Sequence, residues 1–336
     1  MQFLRRLGVQ EVRLRRSART AALLLSAAAS AAAGSAAGAD DYPSRPIHLV
    51  VNTAVGGAVD ITARMLAANL SESLKQPVIV ENRDGAGGVL GANAIAKAIP
   101  DGYTFLYASA GITALSAIQK HLPFNPATDL IPVVPVVSLP FVFVTPLNSP
   151  FKTVGEFVAL AKKAPGELTI ASGGNGTYGH LLGAWLKADA AIDVVHVPYR
   201  GAGPALQALL SGQVSIYPDP IATCLPLVNR GKIRAVAISS KRRSPLLPDT
   251  PTVLESGYPV SGVTWFGILA PAGVPKAVIA RINEEVNNAL PKLRDKLEPT
   301  GYFMEGGSVA DFQKQFAAES ATWAKIIQDA GIQSEN

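Results

Sequence analysis

Short apolar runs alternate with helix-forming stretches along most of the chain, and this alternation restricts the fold more than any other feature. "IHLVVN" (47–52) precedes an amphipathic stretch near 58–74, "PVIVEN" one near 88–98, and "TFLYAS" one near 111–120. "PFVFVTP" (140–146) is followed by "TVGEFVALAKKA". "LTIASGG" leads to a helix near 177–188, "DVVHVPY" to "GPALQALLSG", and "VSIYPDP" to "TCLPLVNRG". "IRAVAISS" and "VTWFGILAP" read as later strands, and helices near 275–298 and 308–330 end the pattern. A strand reaches a parallel neighbour only through a crossover, so the pattern predicts an α/β fold of mainly parallel sheets flanked by helices.

The first 39 residues stand outside that pattern. "MQFLRRLGVQEVRLRRSART" carries six arginines against Glu11, "AALLLSAAASAAA" is apolar or small, and "AGAD" offers an A-x-A site with cleavage near Ala39. The apolar run falls short of the roughly 20 residues that span a bilayer. Residues 1–39 are therefore read as a secretory signal peptide, which predicts a periplasmic or equivalent extracytoplasmic protein. Of 30 basic and 25 acidic residues, the signal removes six and one, leaving 24 of each. The mature chain is formally neutral, and beyond "SKRRS" (240–244) no basic cluster remains to suggest nucleic acid. Cys224 is the single cysteine, within apolar "IATCLPLV", so no intrachain disulfide forms and the thiol reads as a buried small hydrophobe.

About 297 residues exceed what one core usually organises, which favours two domains. No linker rich in Gly, Ser or charge separates them. Two strands, 140–146 and 264–273, instead read as crossings between lobes. The expected partition is residues 40–142 plus 265–336 as lobe 1 and 143–264 as lobe 2. Ligands of open parallel sheets sit beyond the carboxyl ends of the strands, so two such lobes would face one another across a cleft.

Two turns supply the candidate chemistry. In "VNTAVGGAVDITARM" a strand ends, Gly56 and Gly57 turn the chain, and a helix begins with unpaired N–H groups that suit an anion. Asp60 would repel that anion unless it caps backbone donors instead. "IASGGNGTYGHLLGAWL" repeats the arrangement, with Gly174 and Gly176 in the turn and Ser172, Asn175 and Thr177 as further hydrogen-bonding groups. His180 lies one turn into that helix, equally suited to reach a ligand or to pack on the neighbouring strand. Ser109 and Asp219 are polar groups at strand ends, and Asp219 could meet a ligand ammonium or hold its Pro-rich turn.

Other schemes fit poorly. "VIVENRDGAGGVLGANAIAKA" (78–98) imitates a dinucleotide fingerprint, but its third glycine is one residue late and four residues intervene after the strand. No phosphate loop with its lysine and no G-x-S-x-G elbow occurs. The four histidines are scattered without metal-ligand spacing, so neither catalysis, metal nor cofactor is expected.

Together these segments resemble the substrate-binding receptors of tripartite tricarboxylate transporters, the TctC or Bug family. "YPSRPIHLVV", "VIVENRDGAGGVLGANAIAKAIPDGYT", "IASGGNGTYGHLLG", "HVPYRGAGPALQALLSGQV", "WFGILAPAGVPKAVIARIN" and "ESATWAKIIQDAGI" carry the resemblance in order over nearly the whole mature chain. It implies a monomeric two-lobe periplasmic binding protein. Such a protein captures a small carboxylate or amino-acid-like ligand and delivers it to membrane permease subunits. It also implies a ligand site at Ala54, Val55, Gly56, Gly57, Val59 and Asp60, at Ser172 to Thr177 with His180, and at Ser109 and Asp219. The family usually reads P-F-x-P-G-G-x-x-D at the first turn. Here the turn has Asn52, Thr53, Val55, Ala58 and Val59; losing Pro and Gly alters its stiffness and makes the wall more apolar near Val55 and Val59, which implies a ligand less polar or larger than a simple dicarboxylate. The alternative is a sensory module in which the same closure is read by a signalling receptor.

Overall fold

In the computed structural model, residues 42–119 and 121–329 are described; the expected signal peptide lies outside them. Six strands form a sheet in the order β10-β4-β9-β3-β1-β2. They are β1 (Ile47–Val51), β2 (Val78–Asn82), β3 (Thr104–Ser109), β4 (Leu130–Pro146), β9 (Val263–Pro271) and β10 (Phe303–Met304). β5 (Thr169–Ser172) and β6 (Val195–Pro198) pair with each other, while β7 (Tyr217–Pro220) and β8 (Ile233–Ile238) both pair with β4. The helices of eight or more residues are α1 (Ala58–Leu74), α2 (Val89–Ala96), α3 (Val154–Lys163), α4 (Tyr178–Asp189), α5 (Ala202–Leu210), α6 (Ile221–Asn229), α7 (Lys276–Leu297) and α8 (Val309–Asp329).

The parallel pairing expected from the alternation runs through β2-β1-β3 and β5-β6. The long strands add antiparallel pairings: β9 with β3 and β4, and β4 with β7, β8 and β10. The stretch expected as one helix near 111–120 is a 3₁₀ segment, Ala110–Ala114, followed by one turn, Leu115–Ile118.

β4 organises the fold. Leu130–Pro140 pairs with β9, and Phe141–Pro146 pairs with β7 and β8, so one strand belongs to both halves of a two-lobe architecture. It runs for 17 residues and is buried along nearly its whole length. Proline donates no ladder hydrogen bond, and the register with β9 shifts between Pro132 and Val134 and again between Pro135 and Val137. α8 lies across this crossing. Phe312 meets Trp265 of β9 edge-on at 4.8 Å, Glu319 accepts the Trp265 indole N–H at 2.7 Å, and Trp323 meets Tyr178 of α4 at 5.4 Å. The C-terminal helix thus ties the crossing strands to the start of a helix from the other half. Cys224 is buried and free.

Candidate functional site

A cavity of about 700 Å³ opens beyond the carboxyl ends of the parallel strands. Its wall is built from the turns that leave β1 (52–59), β2 (84–88), β3 (109–112), β5 (173–179) and β6 (198–204), closed by β7 and by Phe141, Thr264 and Phe266 of the crossing strands. This is the position that open parallel sheets reserve for ligands.

The turn after β1 carries Ala54, Val55, Gly56, Gly57 and Val59 on the wall. Gly56 takes φ +83°, which a side chain rarely adopts, and its N–H is given to the Asp60 carboxylate at 2.9 Å. Gly57 is the N-cap of α1 and has no side-chain cap. The first helical hydrogen bond runs from Ile61 N–H to Gly57 O, so the N–H groups of Ala58, Val59 and Asp60 precede it. Asp60 itself is buried and absent from the wall. Its carboxylate also accepts from Arg64 Nε at 3.0 Å and Asn82 Nδ2 at 2.9 Å. Burial raises its pKa, but the bonds from Arg64, Gly56 and Asn82 outweigh burial and hold it below the usual carboxylate range. Asp60 therefore braces the turn instead of confronting an anion.

The turn after β5 places Gly174, Asn175, Gly176 and Thr177 on the wall, and Ser109 joins them from the end of β3. Thr177 is the N-cap of α4, and its hydroxyl donates to Gly174 O at 2.7 Å. Leu181 N–H donates to Thr177 O, leaving the N–H groups of Tyr178, Gly179 and His180 before the first helical bond. Ser172 and His180 are both buried and lie behind this turn. Gly176 N–H donates to His180 Nδ1 at 3.1 Å, the two rings of His180 and His196 stack at 4.1 Å, and His196 Nε2 bonds Ser172 Oγ at 2.7 Å. Ser172 Oγ in turn accepts from Gly174 N–H. A His180 Nδ1 that accepts is neutral. Burial lowers the pKa of His180 to about 4, and burial, with His180 and Lys187 disfavouring a second positive charge beside them, lowers that of His196 to about 3.

These depressed values fix a sign. Near pH 6.5 the unfolded imidazoles begin to take up protons that the folded pair refuses, so stability is lost as pH falls from 6.5 towards 4. Thermal melts of a His180→Gln protein should show a shallower loss over that window than the parent. An identical slope would remove the pair from the account.

Asp219 is fully buried behind the wall residues Tyr217, Pro218 and Pro220. Thr223 donates to its Oδ2, and Oδ1 has no hydrogen-bond partner. Burial, only partly offset by the Thr223 and Tyr217 hydroxyls, pushes its pKa up to about 7. Asp219 is thus buried and is not among the residues of the wall.

Several wall residues were not anticipated. The glycine run at 85–88, set aside as an imperfect nucleotide fingerprint, lies on the wall, and a Cβ on Gly87 would stand 2.0 Å from Asn175 O. The turn after β6 is laced to the turn after β5 by Tyr199 N–H to Ser172 O and Gly201 N–H to Gly173 O. "HVPYRGAGP" held the same strand–glycine–helix signal as the two recognised turns. Among the described residues, Asp84 and Arg200 are the only charged ones on the wall, and both are exposed. Among the described residues, no group of three metal-ligating side chains assembles, and no helix is long and apolar enough to cross a membrane.

The fold is shared with known proteins. Protein BugT of Bordetella pertussis is 36% identical over 303 residues, covering 87% of this chain and 91% of BugT. An R. palustris protein solved with adipate superposes with a TM-score of 0.82 at 33% identity, covering 87% of this chain and 99% of that one. MatC from Rhodopseudomonas palustris, solved with bound malate, gives a TM-score of 0.81 at 31% identity, covering 85% and 100%. The sequence pattern described as "Tripartite tricarboxylate transporter family receptor" matches residues 62–332. With its parallel-strand turns gathered on one cavity and this match over most of its length, the chain belongs to the tripartite tricarboxylate transporter receptor family.

Proposed function

We propose that this chain is an extracytoplasmic solute receptor that captures a carboxylate between two lobes and delivers it to the permease subunits of a tripartite transporter. The observation that carries the reading is the convergence of two helix starts, α1 and α4, on one cavity, each with N–H groups ahead of its first helical bond. Hydrogen bonds to a charged acceptor contribute roughly 1.5–3 kcal/mol each, so a few such donors suffice for micromolar affinity, about −8 kcal/mol. Among the described residues no nucleophile–base pair lies on the wall, and the reading is one of binding without catalysis. Adipate and malate in two structural relatives are consistent with a carboxylate guest.

The lobe assignment that accompanies this reading is residues 40–142 with 265–336 against 143–264. Its support is the change of partner within β4, between Pro140 and Phe141, and the start of β9 at Val263. Export to the periplasm, removal of residues 1–39 and a monomeric state complete the proposal.

Calorimetric titration with a panel of carboxylates tests it, with Gly57→Val as the diagnostic variant. A Cβ at Gly57 meets nothing nearer than Ala54 O at 3.6 Å, and its φ of −77° suits any residue. The fold should survive while the branched side chain covers the first turn of α1. Affinity should drop at least 100-fold with an unchanged circular dichroism spectrum. Unaltered affinity would exclude the α1 turn from the site.

A further inference from the structure

Resting on that receptor reading, we propose that the ligand is a monocarboxylate with an apolar body the size of an aromatic ring, not a short dicarboxylate. Main-chain donors reach the wall at the starts of α1 and α4, and the start of α5 adds Ala202 and Gly203. The large apolar side chains on the wall include Ile112, Phe141, Tyr199, Tyr217 and Phe266, with Val55 exposed in the α1 turn. Phe141 packs against Tyr178 at 5.5 Å, and this pair gives the wall aromatic surface on which a flat apolar group stacks.

Size points the same way. A cavity of about 700 Å³ lies well inside the range of roughly 300–1,000 Å³ that holds ligands of drug size. A four-carbon acid would leave most of it to water against apolar side chains. Val55 is 71% exposed although it borders the site, and an apolar guest is the occupant that removes this surface from water.

Charge argues against a second carboxylate. The wall carries one cation, Arg200, and one anion, Asp84, so it offers no net positive charge to a second acidic group. Neither makes an ion pair or a hydrogen bond among the described residues, and both are exposed to water. A second carboxylate laid on Phe141, Tyr217 and Phe266 would lose its hydration without a compensating partner.

The experiment is a calorimetric comparison of benzoate and 3-phenylpropionate with succinate, malate and adipate, and with 3-phenylpropanol as the uncharged control. At least one aromatic acid should bind tenfold or more tightly than any dicarboxylate, and the alcohol should not bind. Tyr199→Ala and Val55→Ser test the wall, since Tyr199 is half-buried and Val55 exposed, so neither change threatens the core. Tyr199→Ala should reduce the aromatic-to-malate affinity ratio at least tenfold, and Val55→Ser about threefold. Tighter binding of malate or adipate, abolished by Arg200→Gln, would overturn this inference and leave the receptor reading standing. Ratios unmoved by both wall variants would also overturn it. Binding of 3-phenylpropanol as tight as 3-phenylpropionate, or no binding of any acid, would overturn the carboxylate reading itself.

Discussion

A Gly87→Val protein is expected to fold and to lose at least two orders of magnitude in ligand affinity. Gly87 takes φ +66°, where an L side chain is strained by roughly 1–2 kcal/mol. The Cβ it would carry stands 2.0 Å from Asn175 O and 3.1 Å from the Asn175 carbonyl carbon, a contact with backbone that no rotamer relieves. The turn after β2 and the turn after β5 touch at this point, one from each sheet. The clash is relieved only by moving the turn after β2 away from the turn after β5, which displaces the donors at the start of α4 from the cavity they line. A 100-fold loss corresponds to about 2.7 kcal/mol, within what two or three displaced charge-assisted hydrogen bonds supply. Calorimetry reads the loss, and Gly203→Ala is the control: it borders the same cavity, yet a Cβ there meets no atom within 4 Å. Equal affinities for Gly87→Val and the parent would mean that the two turns stand apart when the ligand is bound.

The second large effect is expected from Asp219→Asn, read as stability against pH. Burial raises the folded pKa of Asp219 to about 7 from an ordinary value near 3.8. Between those values the folded chain holds a proton that the unfolded chain releases. Its contribution is complete below pH 3.8 and is lost as pH rises through 7. The neutral amide of asparagine does not titrate, so the midpoint of Asp219→Asn relative to the parent should climb as pH rises from 4 to 7 and then level. A shift of this size corresponds to roughly 4 kcal/mol across the window, an upper bound because the site relaxes. His180 and His196 change the parent's stability in the opposite sense over pH 4–6.5, so only the difference between the two proteins isolates Asp219. A flat difference would place the proton elsewhere in the cluster of Tyr217, Thr223, Cys224 and Tyr302 around it.

How much of the site was legible divides along physical lines. The turns after β1 and β5 were readable because their signal is local: an apolar run stops, glycines follow, and helical periodicity begins. The same signal at 85–88 imitates a nucleotide fingerprint, and that likeness masks its place on the wall. The direction of polar side chains was not readable. Asp60, Ser172, His180 and Asp219 adjoin the wall in sequence, yet each is buried behind it and bonded to partners 4 to 24 residues away. Which side of a turn a side chain takes depends on the partner that waits there. Phe141 and Phe266 were hidden for the converse reason, because an apolar residue on a strand reads as core until two halves meet around a space.

Alone, then, the order of residues determined the α/β class, the two-lobe plan, the family and the two glycine turns that line the cavity. Each of these follows from short-range periodicity, from glycine placement or from a resemblance in order along the chain. Only the tertiary structure decided which turns meet, which polar groups act as braces and which apolar side chains form the wall. Those are matters of contact between segments far apart in the chain, and burial and hydrogen-bond partnership exist only once the segments have come together.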